Sequence, residues 1–220
     1  MSSVQGLRSE SSPTSARAYA NFALVKYWGK RDVDLNLPDV GSLSITLDAL
    51  HTTTTVVLDP DLDHHQLVLN GERHADAEVR AQRVLELMRS RAGSDSRCRI
   101  SSRNNFPTAA GLASSASGFA ALVQAATQAY GLEVSPAQCS EWARLGSGSA
   151  ARSMFGGYVE MARGTLPDGS DSVAQPIASA DHWPLEVVVA ISQRQQKPVG
   201  STEGMLRTAQ TSPFYRAWVD

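Results

Sequence analysis

One short segment combines small side chains with hydroxyl groups in a pattern suited to binding phosphate. Residues 107–118 read PTAAGLASSASG, and the run continues into a predicted helix. Small side chains let the backbone approach a polyphosphate closely, and the free N–H groups and dipole at a helix start favour an anion. Ser114, Ser115 and Ser117 could add hydroxyl donors. The segment therefore predicts a nucleotide phosphate loop.

The same composition also fits an ordinary core helix with a serine cap, and the residues alone do not separate the two interpretations. The segment is not a Walker loop, because no Gly-Lys-Ser or Gly-Lys-Thr ends it. Asn104 stands just before it and could help to place a nucleotide. An asparagine in a turn is an equally good interpretation of that position.

Paired histidines and two cysteines are the other candidates for chemistry. His64 and His65 are neighbours in a polar segment. Adjacent residues seldom bind one metal ion, so we expect both to be solvated and predict no metal site in the protein. Cys98 and Cys139 lack the spacing of a zinc or redox motif. They are expected to be small buried residues of a reducing compartment.

Composition limits the classes of function. The formal net charge is −2, from 20 basic and 22 acidic residues, which argues against a nucleic-acid partner. No apolar run reaches 18 residues, so no membrane-spanning helix is expected. Residues 1–15 hold six serines and no apolar core of a signal peptide, which predicts a flexible tail. A cytoplasmic globular protein is the default expectation.

Elements that would position these residues follow from periodicity and turn chemistry. Predicted strands lie at 42–47, 52–58, 66–69, 97–102, 158–161 and 185–191, and the three valines of the last favour an inner strand. Asn70-Gly71 predicts a tight hairpin. Predicted helices lie at 76–91, 114–130 and 135–145, with a short one resuming to 154. This mixture favours an α+β fold over a doubly wound sheet.

Four motifs resemble one family. Residues 107–118 resemble the phosphate-binding signature of the GHMP kinase superfamily. Three further segments resemble diphosphomevalonate decarboxylases, and they read ANFALVKYWGK at 20–30, RLGSGSAARSMFGG at 144–157, and KPVGSTEGM at 197–205 with TSPFY at 211–215. The resemblance runs from about residue 16 to the end. It implies a GHMP-kinase-like fold, with an N-terminal domain similar to domain 2 of ribosomal protein S5 at 16–184 and the start of a second domain at 185–220.

The resemblance also implies an activity. ATP would phosphorylate the 3-hydroxyl of 5-diphosphomevalonate, and the new phosphate would leave as carbon dioxide departs, giving isopentenyl diphosphate. Positive charge builds at C3 while two anionic fragments separate, so the site needs cations on the phosphates and carboxylate, with water kept out. Mg²⁺ is expected on the ATP phosphates, with few protein ligands.

Individual roles come from the same resemblance. Arg152 is implied to hold the carboxylate, because a guanidinium fork can donate two parallel hydrogen bonds. Lys26 is implied near the transferred phosphate or the 3-hydroxyl, and Ser201 near the substrate and ATP phosphates. Residues implied to contact the substrate are Ala20, Tyr27, Trp28, Lys30, Ser147, Gly148, Ser149, Thr202 and Met205. Residues implied to bind ATP are Asn104, Pro107, Ala110, Gly111, Leu112, Ala113, Ser114, Ser115 and Ser117.

Without the resemblance, plainer interpretations of these residues remain open. Arg152 could cap a helix or lie on the surface, and Lys26 could be an ordinary solvated lysine. Tyr27 and Trp28 could be a core pair, because amphipathic aromatic residues are often buried. The serines and glycines at 147–149 could form a turn between helices. Thr202 replaces an arginine found in some members of the family, which could weaken the hold on a substrate phosphate.

The sequence departs from the family in one respect that concerns catalysis. Family enzymes are longer and carry a catalytic aspartate in an Asp-Ala-Gly-Pro segment, which these 220 residues lack. We therefore expect a fragment of a protein that is a homodimer when complete. The chain alone is expected to bind nucleotide weakly and not to decarboxylate. Alternatives are a related mevalonate or phosphomevalonate 3-kinase or decarboxylase, and a non-catalytic GHMP-like binding protein.

Overall fold

The computed structural model describes residues 11–107, 114–190 and 199–220. Its strands are β1 Thr14–Val25, β2 Lys30–Asp32, β3 Leu37–Pro38, β4 Ser42–Asp59, β5 Gln66–Leu69, β6 Arg97–Asn104, β7 Tyr158–Met161 and β8 Ala174–Ala178. Its α-helices are α1 Ala75–Arg91, α2 Ser114–Ala129, α3 Pro136–Gly146, α4 Ser201–Thr211 and α5 Tyr215–Val219. Two 3₁₀ helices span Gly148–Met154 and Ala180–His182. The α+β prediction is confirmed.

A six-stranded sheet organises the molecule, with β4 as its longest strand. Its order is β5-β6-β4-β7-β8, and β1 also pairs with β4. The β5–β6 pair is parallel, and the other pairs are antiparallel. The strands predicted at 42–47 and 52–58 are one strand, because β1 hydrogen-bonds to both halves of β4 with a register shift between Tyr19 and Asn21.

The turn at Asn70-Gly71 has the predicted left-handed conformation, with φ of 52° and 90°. The predicted tight hairpin is confirmed, because Leu69 and Glu72 exchange both backbone hydrogen bonds across the turn. It is limited to a single antiparallel bridge between Leu69 and Glu72, and the strand before the turn pairs in parallel with β6. Turn chemistry therefore indicated the reversal of the chain but not the partner of the strand.

Helices α1, α2 and α3 enclose the main core against the sheet. On α1 the buried residues Ala81, Val84, Leu85 and Met88 recur at helical spacing and form one apolar face. Val56 of β4 faces the same core. Burying each large apolar side chain stabilises the fold by about 1.5–3 kcal/mol. This core holds α2 and α3 in place, and their ends carry the site residues.

Two helix ends form as predicted. The Ser135 hydroxyl accepts a hydrogen bond from the Gln138 N–H at 3.2 Å, and Pro136 occupies the first turn of α3. Gly131 follows α2 with φ of 62°, a left-handed conformation that costs glycine little. The short helix predicted to resume after α3 is the 3₁₀ helix Gly148–Met154.

The inner strand predicted at 185–191 is wrong for its described residues. Residues 185–190 form no strand, and Val188 is 90% exposed. Valine favours strands only where a neighbouring strand supplies hydrogen bonds and packing, and no described strand pairs with this segment. Ile191 lies outside the described residues.

Residues 14 and 15, which fall in the segment predicted as a flexible tail, belong to β1, where Thr14 pairs with Val56. The proposed division between domains near residue 185 stays a prediction. Within the described ranges, no helix combines the length and the apolar character needed to cross a membrane.

Candidate functional site

Arg152 is a buried cation surrounded by small polar groups. It lies in the 3₁₀ helix Gly148–Met154 and is 2% exposed. Its Nη1 donates to Ser42 Oγ at 2.6 Å, its Nε to Ser44 Oγ at 3.1 Å, and its Nη2 to Asn21 Oδ1 at 3.3 Å. These three partners are neutral, so the guanidinium keeps its whole positive charge.

Two strands position the partners of this guanidinium. Ser42 and Ser44 alternate along β4, so both face the same side of the sheet. Asn21 lies on β1, which pairs with β4. Its Nδ2 donates to Ser149 O at 3.0 Å and to Ser153 Oγ at 2.8 Å. Asn21 thereby ties the guanidinium to the 3₁₀ helix that carries it.

The electrostatics of Arg152 favour an anionic ligand. Burial lowers the pKa of Arg152 to about 10, and nearby Tyr27 opposes the shift, so the side chain is charged at neutral pH. In the parts of the chain that the structure describes, no Asp or Glu forms an ion pair with it. A buried charge without a countercharge is costly, and a carboxylate would relieve that cost.

The start of α2 meets the segment that carries Arg152. Ser115 Oγ lies 3.2 Å from Ser147 Oγ, and Ser147 Oγ lies 3.4 Å from Ser149 Oγ. The first described turn of α2 carries no acidic side chain that would oppose the binding of an anion there. A phosphate at this helix start would therefore lie beside the serines next to Arg152.

Tyr27 and Lys30 form a second part of the site. Tyr27 is buried, and a Cβ added at Gly148 would overlap its ring. Its hydroxyl donates to Asn36 O at 3.0 Å, and burial raises its pKa. Lys30 Nζ donates to Asn36 Oδ1 at 2.5 Å and to Thr202 Oγ1 at 3.2 Å. Burial, with a smaller contribution from a neighbouring arginine, lowers the pKa of Lys30.

Helix α4 lies against this second part. Thr202 contacts Lys30, and a Cβ added at Gly204 would lie 3.4 Å from the Trp28 ring. Met205 is buried at 7% exposure. The hydroxyl of Tyr215, in α5, donates to the Asp39 carboxylate. The two C-terminal helices are therefore held next to residues 28–39, the segment between β1 and β4.

Comparison with known proteins identifies the family. Residues 18–174 match the family described as the diphosphomevalonate decarboxylase-like N-terminal domain. The chain belongs to this family. Over 216 residues it is 46% identical to a diphosphomevalonate decarboxylase of Ganoderma lucidum, a match that covers 91% of this chain and 54% of the relative. The chain thus spans about half the length of the curated relatives it matches.

Solved structures agree with this membership. A mevalonate diphosphate decarboxylase from Enterococcus faecalis superposes with a TM-score of 0.80 at 40% identity, covering 94% of this chain and 63% of that chain. A structure of MDDEF in complex with MVAPP, AMPPCP and magnesium gives a TM-score of 0.82 at 40% identity, covering 94% and 64%. The predicted GHMP-kinase-like fold of the decarboxylase family is confirmed.

The decarboxylase motifs converge in space around Arg152 and Lys30. Several other predicted site residues lie at the margin of this cluster. Ala20 is fully buried on β1, next to Asn21. Lys26 is exposed, with Nζ 6.0 Å from the centroid of the Trp28 ring. Ser201 is the exposed first residue of α4.

The nucleotide side is described in part. Ser114 and Ser115 are half-buried at the start of α2, and Pro107 is exposed. Asn104 Oδ1 accepts a hydrogen bond from the Thr52 hydroxyl at 2.7 Å. Four predicted ATP-binding residues lie outside the described residues, namely Ala110, Gly111, Leu112 and Ala113.

The Ser117 hydroxyl is buried between α2 and the sheet and shares a 2.7 Å hydrogen bond with Thr52, and its predicted contact with ATP stays a prediction. One expectation needs correction. His65 is not solvated but 1% exposed, and its Nδ1 accepts the Cys98 N–H at 2.8 Å. Its neighbour His64 is exposed as expected.

Four residues of the site were missed at the sequence level, namely Asn21, Asn36, Ser42 and Ser44. Alternation of serine along β4 was a usable signal for Ser42 and Ser44, since small hydroxyls on one strand face often contact a buried polar group. Asn21 interrupts the apolar and aromatic run at 18–25, which was a weaker signal. The role of Asn36 depends on contacts across the fold that its neighbours in sequence do not indicate.

Proposed function

We propose that this chain forms the substrate-binding part of an ATP-dependent decarboxylase that converts 5-diphosphomevalonate to isopentenyl diphosphate. The observation that carries the proposal is the buried guanidinium of Arg152, whose described hydrogen-bond partners are all neutral. It lies in the segment that contacts the start of α2. A carboxylate next to a nucleotide phosphate would suit this pair of features.

The family relatives support the same activity. Those from Ganoderma lucidum and Homo sapiens are diphosphomevalonate decarboxylases, and the MDDEF complex contains MVAPP, AMPPCP and magnesium. In this chain, ATP would supply the transferred phosphoryl group, and Mg²⁺ would be bound mainly by the ATP phosphates. The half-buried hydroxyls and the N–H groups at the start of α2 would contact those phosphates.

The described residues divide into two groups by position. Arg152 would bind the carboxylate, while Tyr27, Lys30, Thr202 and the Ser147–Ser149 segment would surround the diphosphate. The Tyr27 hydroxyl proton is already donated to Asn36 O, so Tyr27 would line the diphosphate end of the site rather than donate to a phosphate oxygen. The ammonium of Lys30 supplies positive charge at the same end. Lys26 and Ser201 are proposed nearer the 3-hydroxyl and the transferred phosphate.

The reaction limits what Arg152 can contribute. After the 3-hydroxyl is phosphorylated, the bond between C2 and the carboxylate carbon breaks, its electron pair forms the C2–C3 double bond, and phosphate leaves C3. The carboxylate loses its negative charge in this step, so tight binding of that charge alone would oppose the reaction. The contribution of Arg152 is therefore orientation, which aligns the breaking bond with the leaving phosphate.

The aspartate that the resemblance implies near the 3-hydroxyl is not found in an Asp-Ala-Gly-Pro segment of these 220 residues. We therefore propose that the chain alone binds 5-diphosphomevalonate without converting it. The cytoplasmic location and the homodimer of the complete protein stay predictions.

Binding and turnover measurements test the proposal together. Isothermal titration calorimetry should show that the chain binds 5-diphosphomevalonate more tightly than mevalonate 5-phosphate. Arg152→Lys should weaken this binding, because an ammonium cannot donate two parallel hydrogen bonds to a carboxylate. Arg83→Lys, an exposed position on α1, is the matched control.

The turnover assay supplies ATP, Mg²⁺ and each mevalonate ester and measures ADP and carbon dioxide together. Neither product is expected from the chain alone. Formation of ADP without carbon dioxide would identify a kinase and overturn the proposed decarboxylation. Equal binding by wild type and Arg152→Lys would remove Arg152 from the substrate site.

A further inference from the structure

Asn36 connects the two residues proposed to surround the substrate diphosphate. We propose that Asn36 is a positioning residue, which presets the Lys30 ammonium for a diphosphate group before the ligand binds and holds Tyr27 in place beside it. This assignment rests on the proposed function and deepens it. None of the recognised motifs contains Asn36, which lies in the loop between β2 and β3.

The contacts of Asn36 use both its side chain and its backbone. Its Oδ1 accepts a hydrogen bond from Lys30 Nζ at 2.5 Å, and its Nδ2 donates to Leu145 O at 2.8 Å. Its backbone carbonyl accepts the Tyr27 hydroxyl at 3.0 Å. One residue thus holds an ammonium, a phenol and the end of α3.

The loop holds Asn36 in an unusual conformation. Its φ is 51°, in the left-handed region that asparagine tolerates better than most other residues. The preceding Leu35 is fixed on both sides, since its N–H donates to Asp32 Oδ1 at 2.7 Å and its carbonyl accepts from Arg144 Nε at 3.2 Å. The position of the Asn36 amide is therefore set by the fold rather than by a ligand.

The contact with Leu145 links this loop to the serine-rich segment. Leu145 immediately precedes residues 146–149, in which Gly148 packs against the Tyr27 ring. A free lysine side chain has many rotamers, and part of that entropy must be lost when its ammonium binds an anion. A hydrogen bond made before binding reduces that loss, which is the advantage of preorganisation.

The residue type also matters for charge. The amide of Asn36 is a neutral acceptor, so it orients the Lys30 ammonium without cancelling its positive charge. An aspartate at the same place would hold the ammonium more strongly but would also repel a diphosphate. Asparagine thus satisfies the geometric requirement and leaves the charge of Lys30 available for the ligand.

The test compares two asparagines with the same backbone conformation. Asn36→Gly removes the side chain while allowing the left-handed φ. Asn70→Gly makes the same change at the turn after β5, where φ is 52°, and is the matched control. Both variants and the wild-type chain are titrated with 5-diphosphomevalonate by calorimetry, and their urea midpoints are compared.

Asn36→Gly should weaken binding of 5-diphosphomevalonate about tenfold, the usual effect of losing one charge-assisted hydrogen bond. Asn36→Asp should weaken it further. In a Lys30→Met background, Asn36→Gly should change affinity by less than about twofold, because the two effects share one interaction. A residue with a merely structural role would lower affinity equally in both backgrounds, and that result would overturn the proposal.

A second readout does not depend on binding. The Lys30 ammonium is observed by NMR in wild type and Asn36→Gly, with a pH titration of each. Loss of the acceptor should lower the pKa of Lys30 further and broaden its ammonium signal. Unchanged spectra would overturn the inference. If wild type does not bind 5-diphosphomevalonate, the proposed function fails, and these spectra alone decide whether Asn36 holds Lys30.

Discussion

Two buried arginines, Arg144 and Arg152, lie eight residues apart in one sequence motif and have opposite surroundings. They are 0% and 2% exposed, and burial lowers the pKa of both. Arg144 donates to backbone carbonyls, with Nε 3.2 Å from Leu35 O, and with Nη1 2.7 Å from Gly169 O and also bonded to Ser172 O. Arg152 donates mainly to side-chain hydroxyl and amide groups.

The kind of partner separates the two roles. A backbone carbonyl cannot reorient without moving the chain, so Arg144 fixes the loops that carry Leu35, Gly169 and Ser172. Without Arg144 these buried carbonyls would lose their hydrogen-bond donors. The Ser42 and Ser44 hydroxyls around Arg152 can rotate when a ligand arrives, whereas Asn21 is held by its bonds to the 3₁₀ helix. Burial and charge alone therefore do not indicate a binding residue, whereas the chemistry of the hydrogen-bond partners does.

The largest expected effect is on stability, at Arg144. Arg144→Met should lower the free energy of unfolding by about 4 kcal/mol, because it leaves buried carbonyls without donors. Arg152→Met should cost less than about 1 kcal/mol, since a buried charge without a countercharge is replaced by an apolar side chain of similar length. Urea denaturation measures both. Equal losses would contradict the distinction between the two arginines.

A substitution in the Arg152 segment tests whether its placement depends on Tyr27. Gly148→Ala adds a methyl group that overlaps the Tyr27 ring, so it should shift the 3₁₀ helix and cost about 2 kcal/mol of stability. Affinity for 5-diphosphomevalonate should fall as well. Gly156→Ala is the control, because a Cβ there meets nothing within 4 Å. If both variants behave alike, the packing of Tyr27 does not position Arg152.

A third buried basic group, His65, extends the comparison because it is neutral where the arginines are charged. Its burial lowers its pKa from 6.5 to about 4, although Glu86 Oε1 at 3.2 Å from Nε2 opposes the shift. Between these values the unfolded chain binds a proton that the folded chain does not. The stability that neutral His65 contributes should be fully present above pH 6.5 and fall by about 3 kcal/mol as pH drops to 4 and below.

Urea midpoints measured between pH 7 and 4 check the behaviour of His65. His65→Gln should flatten the dependence on pH in this window, whereas His64→Gln, at the exposed neighbouring position, should leave it unchanged. A slope that survives His65→Gln would assign the effect to other groups, such as the carboxylates.

Local signals in the sequence were reliable where the structure they predict is local. The hydroxyl cap of Ser135 and the left-handed Gly131 depend on their immediate neighbours, and both formed as predicted. The alternation in β4 and the apolar face of α1 likewise follow from a single element. The GHMP-type fold and the decarboxylase family were also predictable, because four motifs occur in the right order.

Features that depend on a distant partner were not predictable in this way. Val188 has the propensity of a strand residue, but the described chain supplies no strand to pair with it. His65 looked solvated because its neighbours in sequence are polar, yet β6 and α1 cover it. Asn36 resembled any loop asparagine until the fold brought Lys30 and Leu145 to its side chain.

The smallest expected effect is at Asp39, a few residues after Leu35, whose carbonyl Arg144 holds. Tyr215 donates to the Asp39 carboxylate, and burial with this contact raises the pKa of Tyr215 to about 12. Tyr215→Phe should therefore cost about 1 kcal/mol. Because this contact holds α5 and so restrains α4, amide hydrogen exchange in α4 should become faster while exchange in α2 does not change. Tyr19→Phe on β1 is the matched control. Unchanged exchange in α4 would mean that the contacts with Lys30 and Trp28 suffice to hold this helix. The contact between Tyr215 and Asp39 would then have no role in positioning the site.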